Sequence, residues 1–292
     1  MKKSILLAGM FLMAASCSSD ESVNTVDGAD DFAPVTVRVD GFSVEQSDIP
    51  LTRATALNEF KFADVVTLAF YRSDGSEAYK HTQVKNDTNT FTTFGEFSCN
   101  LPLGSYTMVV LCNAGNNAIT LSSPTSATYG ENKVMDTFAA TQAVNITSNN
   151  AVELSATLDR IVSAVAVKSN DNRPEEVTQM RLTYSGGDKS FNPTTGLAAN
   201  NNGFQCVLNF GDSTGKTNLG GSLFLATDEQ NVDILVEMLN SNGDVLYSRS
   251  AQNVPLKRNR VTSLTGTLFS NTGVSSSFQV NAEWITGISV NF

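Results

Sequence analysis

Short runs in which apolar and polar residues alternate, separated by polar turns, restrict the fold of this chain more than any other feature. Val35–Val39, Ala151–Leu158 and Phe204–Phe210 all show this alternation. A period of two places the apolar side chains on one face of a β-strand, whereas an amphipathic helix repeats them every three or four residues. No segment keeps a helical pattern over three turns, so we predict an all-β chain.

The clearest hairpin supports the same interpretation. Val232–Leu239 and Val245–Ser248 are joined by the turn 241–244 (Ser-Asn-Gly-Asp), and Asn-Gly between two strand-like runs is a strong turn signal. Further strands are predicted at Val65–Tyr71 and Ile161–Val167. Strands spaced roughly 8 to 15 residues apart, with polar turns between them, predict a β-sandwich in each half of the chain.

Three stretches lack a clear strand pattern. Residues 118–135 are mixed in composition and residues 185–203 are rich in Gly, Asn and Ser, so both are predicted to be loops. Phe138–Val144 is ambiguous between strand and loop. The two halves of the chain are predicted to meet near residues 155–162.

The N-terminus has the features of a lipoprotein signal peptide. A basic start precedes an apolar run, residues 5–13, that is too short to span a bilayer. The run closes on Ala14-Ala15-Ser16-Cys17, which resembles a lipobox. We therefore predict that residues 1–16 are removed and that Cys17 carries the lipid, palmitate included. An ordinary signal peptide followed by an incidental cysteine is the alternative.

The acidic stretch that follows, residues 17–31, has no apolar periodicity and is predicted to be a flexible tether. Within it, Ser18-Ser19-Asp20-Glu21 resembles the serine-acidic surface-export signal of lipoproteins from one phylum of anaerobic Gram-negative bacteria. No second apolar stretch is long enough to span a membrane. The lipid is therefore the predicted contact with the outer membrane.

The charge balance argues against a nucleic-acid partner. Asp and Glu number 29 against 19 Lys and Arg, which gives a net charge of −10, and the cations form no block. Nucleic-acid binding needs clustered cations that neutralise phosphates. Charged residues make up only 16% of the chain while hydrophobic residues make up 41%, a balance that suits β-sheets with hydroxyl-rich outer faces and ample cores.

Four cysteines cannot form a full disulfide framework if the first is lipidated. Cys99, Cys112 and Cys206 then remain, an odd number that allows one bond at most. Cys99 and Cys112 fall in neighbouring predicted strands and could pair. Buried free thiols are the alternative.

The sequence carries no recognisable catalytic or metal-binding constellation. His81 is the only histidine, so a His-rich metal site is excluded and a Ser-His-Asp triad has no identifiable partners. No Walker-type, Gly-x-Ser-x-Gly or His-Glu-x-x-His motif occurs. We predict that the protein is not an enzyme and uses no cofactor or metal ion.

Four segments in order along the chain resemble the fimbrillin (type V pilin) superfamily of anaerobic Gram-negative bacteria. They are Leu51–Thr55, the Leu-Pro-x-Gly-x-Tyr segment Leu101–Tyr106, the Leu-x-Arg segment Leu158–Val165, and the late segment Val254–Gly266. The resemblance implies two tandem transthyretin-like β-sandwich domains, residues 32–158 and 159–292. It also implies a role in a cell-surface fimbria.

The resemblance implies a maturation step as well. In polymerising members, a trypsin-like Arg protease cuts after an arginine beyond the first strand, and the lost strand leaves a groove. Arg53 is the candidate cut site here, with Ala54 as the new N-terminus. Val35, Val37 and Val39 would fill the groove until the cut. An arginine that is simply solvated, in an anchor subunit that keeps its lipid, is the alternative.

A strand donated by another subunit would then fill the groove by β-augmentation. The last predicted strand supplies the donor candidates, which are its alternate side chains Phe278, Val280, Ala282 and Trp284. Packing in the core is the alternative role of Trp284.

The predicted function is that of a structural fimbrial subunit that contributes to adhesion. Its predicted partners are other fimbrial subunits, in a homo- or hetero-polymer, and ligands on host or bacterial surfaces. A surface glycan-binding lipoprotein of a polysaccharide-uptake system is the alternative, because such proteins also carry lipoboxes and β-sandwiches.

Overall fold

The computed structural model describes five ranges of the chain, residues 32–43, 63–87, 91–212, 214–270 and 278–281. Every regular element within these ranges is a β-strand, so the predicted all-β class is confirmed. The described residues all belong to one compact unit. None of the described residues belongs to a helix that could cross a membrane.

The described residues form 19 strands. Those of the first half are β1 Phe32–Ser43, β2 Val65–Arg72, β3 Glu77–Val84, β4 Glu96–Pro102, β5 Gly104–Asn113, β6 Ile119–Ser123, β7 Ser126–Tyr129, β8 Thr137–Ile146 and β9 Val152–Arg160. Those of the second half are β10 Ser163–Asn172, β11 Gln179–Tyr184, β12 Ser190–Asn192, β13 Leu197–Ala198, β14 Phe204–Asn209, β15 Lys216–Leu223, β16 Glu229–Leu239, β17 Val245–Lys257, β18 Val261–Gly266 and β19 Gln279–Asn281.

These strands form four sheets. A seven-stranded sheet from the first half has the order β3-β2-β5-β8-β9-β1-β4. Two four-stranded sheets from the second half have the orders β15-β10-β18-β19 and β14-β11-β16-β17. The fourth sheet, β13-β12-β7-β6, takes strands from both halves. The stacked sheets confirm the β-sandwich architecture, and the domain limits at residues 158 and 159 stay a prediction.

The predicted loops contain the strands of the mixed sheet. β6 and β7 lie within 118–135, β12 and β13 lie within 185–203, and the ambiguous Phe138–Val144 is the middle of β8. Both loop predictions were therefore wrong in part. The physical reason is that these strands are only two to five residues long, which is too short for an alternation of polarity to be recognised. The pairing of β7 with β12, about 60 positions further along the chain, joins them into one sheet.

Three hydrophobic cores follow from this layout. The first is built only from residues 33–158 and the second only from residues 165–269. The third joins the halves, because Tyr129 of the first half stacks on Phe224 of the second at 6.3 Å, and Phe191 stacks on Phe224 at 4.1 Å. Aromatic rings in this arrangement bury large apolar areas and so bind the two halves firmly together.

The two halves also repeat one pairing arrangement. β1 pairs in parallel with β9, the last strand of the first half, and antiparallel with β4. β10 likewise pairs in parallel with β18 and antiparallel with β15. The sequence shows no strict repeat, because backbone pairing requires only alternation of polarity and not particular side chains.

Candidate functional site

The first strand occupies the interior of the seven-stranded sheet. β1 is hydrogen-bonded on one side to β9 and on the other side to β4. Its register with β4 runs from Phe32 opposite Pro102 to Arg38 opposite Glu96. We call the space between β9 and β4 that β1 fills the β1 groove.

Alternate side chains of β1 fill this groove as the sequence pattern predicts. Ala33, Val35, Val37 and Val39 point into the first core and are between 0% and 7% exposed. Fully burying a valine side chain stabilises a fold by about 1.5–3 kcal/mol, so these residues account for a large share of the strand's binding energy. The intervening residues of β1 are exposed or half-buried, with Arg38 in an ion pair to Glu96 at 3.0 Å.

The end of β1 is shaped by a β-bulge. The register with β9 shifts between Val39 and Gly41, and Phe42 then packs edge-on against Phe138 with ring centroids 4.6 Å apart. A bulge bends its strand and increases the local twist. This aromatic contact and the pairing of Ser43 with Asp159 hold the end of β1, and the predicted cut site at Arg53 lies outside the described residues.

The Leu-Pro-x-Gly-x-Tyr segment forms the corner between β4 and β5. The Tyr106 hydroxyl donates a hydrogen bond to the carbonyl oxygen of Pro102 at 2.7 Å. Gly104 between them has a φ of +154°, which L side chains rarely adopt. The tyrosine thus secures the end of β4, one wall of the β1 groove, in the manner of a tyrosine corner.

β9 is the other wall of the β1 groove, and its last residue is Arg160, the arginine of the Leu-x-Arg segment. The contacts of Arg160 hold this wall in place. Its guanidinium donates two hydrogen bonds to the Asp136 carboxylate, at 2.8 and 2.9 Å, and lies 5.0 Å from the centroid of the Phe138 ring. Burial raises the pKa of Asp136 above its ordinary value, and the charge of Arg160 opposes that rise. The ion pair therefore compensates a buried carboxylate.

The C-terminal donor candidates lie at the edge of another sheet. β19 pairs antiparallel with β18 over three residues, all exposed, and Val280 is 42% exposed. Phe278 is half-buried and packs against the second core. Cys17, Arg53, Ala54, Ala282 and Trp284 lie outside the described residues, so their predicted roles stay predictions.

Two charged side chains hold the chain just before that edge strand. Asp171 accepts hydrogen bonds from the amides of Leu268 and Phe269, both at 2.8 Å. Arg249 donates to the carbonyl oxygens of residues 267 and 270, at 3.0 and 2.8 Å. We call this pair the Asp171–Arg249 clamp. Sequence reasoning missed it because its partners are backbone groups almost 100 and about 20 positions away.

The described cysteines are all free thiols, so the considered Cys99–Cys112 disulfide is not formed. Their strands, β4 and β5, are separated by three other strands in the seven-stranded sheet. Burial raises the pKa of both Cys99 and Cys206 to about 11 and that of Cys112 further still. All three thiols therefore stay protonated at neutral pH.

Among the described residues, no group of three or more His, Cys, Asp and Glu side chains could hold a metal ion. A cleft of about 690 Å³ lies where the two halves meet. Its four cations, Arg160, Lys257, Arg258 and Arg260, are matched in number by the carboxylates of Asp159, Asp228, Glu229 and the neighbouring Asp136. Arg160 is paired with Asp136, Arg258 with Asp228 and Lys257 with Glu229. Such a cleft presents no net charge to attract an ionic ligand.

Several solved structures are similar to this chain. An adhesin candidate from Bacteroides ovatus is 11% identical, with a TM-score of 0.52 over 88% of this chain and 96% of its own. The fimbrial anchor protein Mfa2 from Porphyromonas gingivalis is 12% identical, with a TM-score of 0.48 over 86% and 98%. A candidate cell adhesion protein from Bacteroides fragilis is 12% identical, with a TM-score of 0.43 over 88% and 99%.

No curated protein matches the sequence. The resemblance to the fimbrillin superfamily is confirmed as a likeness of fold, for which the adhesin candidate at TM-score 0.52 is the basis. A family model matches residues 34–290 of the sequence, from within β1 to beyond β19. The chain therefore belongs to the Family of unknown function DUF6562.

Proposed function

We propose that this protein is a subunit of a cell-surface fimbria that is exported as a lipoprotein and assembles by strand exchange, contributing to adhesion. The observation that carries the proposal is the interior position of β1, whose four buried side chains fill a groove between β9 and β4. The shared fold with an adhesin candidate supports a surface role. The proposed role is structural and involves no catalysis.

Removal of β1 would leave two unsatisfied strand edges and an open core. β4 and β9 would each lose a hydrogen-bonded neighbour, and the first core would lose the side chains of Val35, Val37 and Val39. Backbone groups without partners and exposed apolar side chains are both costly. An incoming strand with alternate apolar residues would restore both sets of contacts, which is the physical basis of β-augmentation.

The arrangement near the C-terminus suits a donor. The Asp171–Arg249 clamp holds residues 267–270 with four hydrogen bonds, and Leu268 is fully buried. β19 beyond it is held by pairing over only three exposed residues. β19 can therefore leave its sheet while the clamp keeps residues 267–270 attached to the subunit.

The test is proteolysis of the purified lipoprotein with an Arg-specific protease. We expect cleavage after Arg53, a new N-terminus at Ala54 and a ladder of SDS-resistant oligomers. Arg53→Lys should stay uncut and monomeric, whereas Arg72→Lys, a change at an exposed arginine of β2, should behave as the wild type. A peptide of residues 32–43 in excess should refill the groove and suppress the ladder.

A second pair of variants tests the donor. Val280→Asp would place a charge in an apolar pocket of the receiving groove and should abolish the ladder without preventing cleavage. Gln279→Asp lies on the other face of the same strand and should leave the ladder intact. A ladder that forms equally in both variants would contradict donation by this strand. An Arg53 that resists cleavage would contradict polymerisation and leave an anchor held permanently by Cys17.

A further inference from the structure

The two end strands of the seven-stranded sheet approach each other without pairing. β3 and β4 stand at opposite ends of the strand order, yet the Gln83 side chain of β3 bridges them. Its amide nitrogen donates to the Glu96 carbonyl oxygen and its amide oxygen accepts from the Gly95 N–H, both at 2.7 Å. The sheet therefore curls until its two edges approach each other at this side chain.

A groove of about 460 Å³ opens beside this bridge. We call it the seam groove, and it is lined chiefly by Tyr79, His81, Gln83, Phe91, Glu96 and Phe97. At one end of the seam groove, the Gln83 side chain already bonds to the Gly95 N–H and the Glu96 carbonyl oxygen. These main-chain groups therefore cannot pair with an extended strand laid along the groove. A compact ligand fits this geometry better than a peptide.

The seam groove combines aromatic rings with polar groups. Tyr79, His81 and Phe91 are each half-buried, so part of every ring faces the groove, and His81 lies edge-on to Phe97 with centroids 6.1 Å apart. Rings of this kind offer apolar faces with a polar atom at the rim. The phenol of Tyr79 and the imidazole of His81 can each both donate and accept hydrogen bonds.

The charge in the groove is balanced. The Glu96 carboxylate is the anionic group of the lining and is paired with Arg38 of β1 at 3.0 Å. A ligand with a net charge would therefore gain little attraction. That carboxylate accepts from Arg38 on the exposed face of β1, and it points away from the aromatic rings because Glu96 and the buried Phe97 are successive residues of β4.

We propose that the seam groove binds a neutral saccharide. A pyranose ring presents C–H groups on one face, which stack on the aromatic rings, and hydroxyl groups around its edge, which match the imidazole and the phenol. Sites for small ligands generally join such apolar walls to a few placed polar groups. The inference does not depend on fimbrial assembly, because the groove is complete in the uncut chain.

The test follows ligand binding through the NMR signals of the His81 imidazole. The sequence has one histidine, so full-length protein without a histidine tag and labelled at histidine with ¹⁵N gives one pair of imidazole signals. We would titrate it with glucose, galactose and N-acetylglucosamine. At least one of these sugars should shift the signals with a dissociation constant on the order of 1 mM or below.

Matched variants separate binding from folding. Tyr79→Ala should weaken binding about tenfold or more, measured by the same imidazole signals, while Tyr79→Phe keeps the ring and should lose less. Thr82→Ala, beside His81 but on the opposite face of β3, should bind as the wild type. The proposal is overturned if none of the three sugars shifts the signals, if Thr82→Ala weakens binding as much as Tyr79→Ala, or if a peptide of residues 278–292 shifts them and the sugars do not.

Discussion

At the scale of single residues, the Asp136–Arg160 pair shows how a short motif acts through a partner far from it in sequence. The motif arginine ends β9, and the carboxylate that it compensates precedes β8. Removing one member of a buried ion pair leaves an uncompensated charge, which is far more costly than losing an exposed pair. The pair therefore holds the wall of the β1 groove in place.

We expect Arg160→Met to lower the free energy of unfolding by about 3–5 kcal/mol at pH 7, as measured by urea denaturation. Arg38→Met breaks the exposed pair with Glu96 and should leave the midpoint nearly unchanged. Equal effects of the two changes would contradict the role assigned to Arg160.

The same pair predicts a pH dependence. Because the folded-state pKa of Asp136 is raised, its contribution to stability is present below its ordinary pKa and is lost as the pH rises through the folded-state pKa. Arg160→Met removes the cation that opposes the rise, so the folded-state pKa should climb further. The difference in unfolding free energy between wild type and variant should therefore shrink towards acid pH. A difference that is constant between pH 3 and pH 8 would be inconsistent with this account.

At the scale of elements, residues 267–270 differ from the strand that follows them. Their backbone groups are satisfied by charged side chains, whereas β19 depends on a short edge pairing. Hydrogen bonds to charged groups stabilise more than neutral ones. The clamp thus keeps the end of β18 ordered whether or not β19 stays in place.

We expect Asp171→Asn to increase the hydrogen-exchange rates of the Leu268 and Phe269 amides by about tenfold or more, since a charged acceptor is lost. Asp233→Asn is the matched control, because Asp233 accepts a single amide hydrogen bond from Asn253. It should leave the exchange of residues 268 and 269 unchanged. Unchanged rates in Asp171→Asn would show that the second core alone holds this segment.

At the scale of the whole molecule, the third core joins the halves. Phe191 is fully buried and stacks on Phe224, while the neighbouring β7–β12 pairing is reinforced by a hydrogen bond between the Thr128 and Ser190 hydroxyls at 2.7 Å. A shared core of this kind makes separate unfolding of the halves unfavourable. The halves should therefore unfold in one transition.

We expect Phe191→Ala to destabilise the protein by about 3–5 kcal/mol and to divide calorimetric unfolding into two transitions. Leu182→Ala, in the second core, should destabilise by a similar amount while keeping one transition. Two transitions already present in the wild type would contradict the coupling.

Much of the fold follows from local pattern. The alternation in β1 and the hairpin of β16 and β17 are visible because burial on one face of a sheet imposes a period of two. The same alternation predicts that Val35, Val37 and Val39 lie on the buried face of the strand, and the structure buries all three. These features need only neighbouring residues to be recognised.

The sequence alone determined the all-β class, the buried face of β1 and the polar turns, because each depends on side chains close together along the chain. Only the tertiary structure decided that β1 lies between β9 and β4, and that the mixed sheet joins the halves. It also brought Tyr79, His81 and Glu96 to one groove and separated Cys99 from Cys112. These outcomes depend on pairing between distant strands, which many sequences with the same local pattern could form differently.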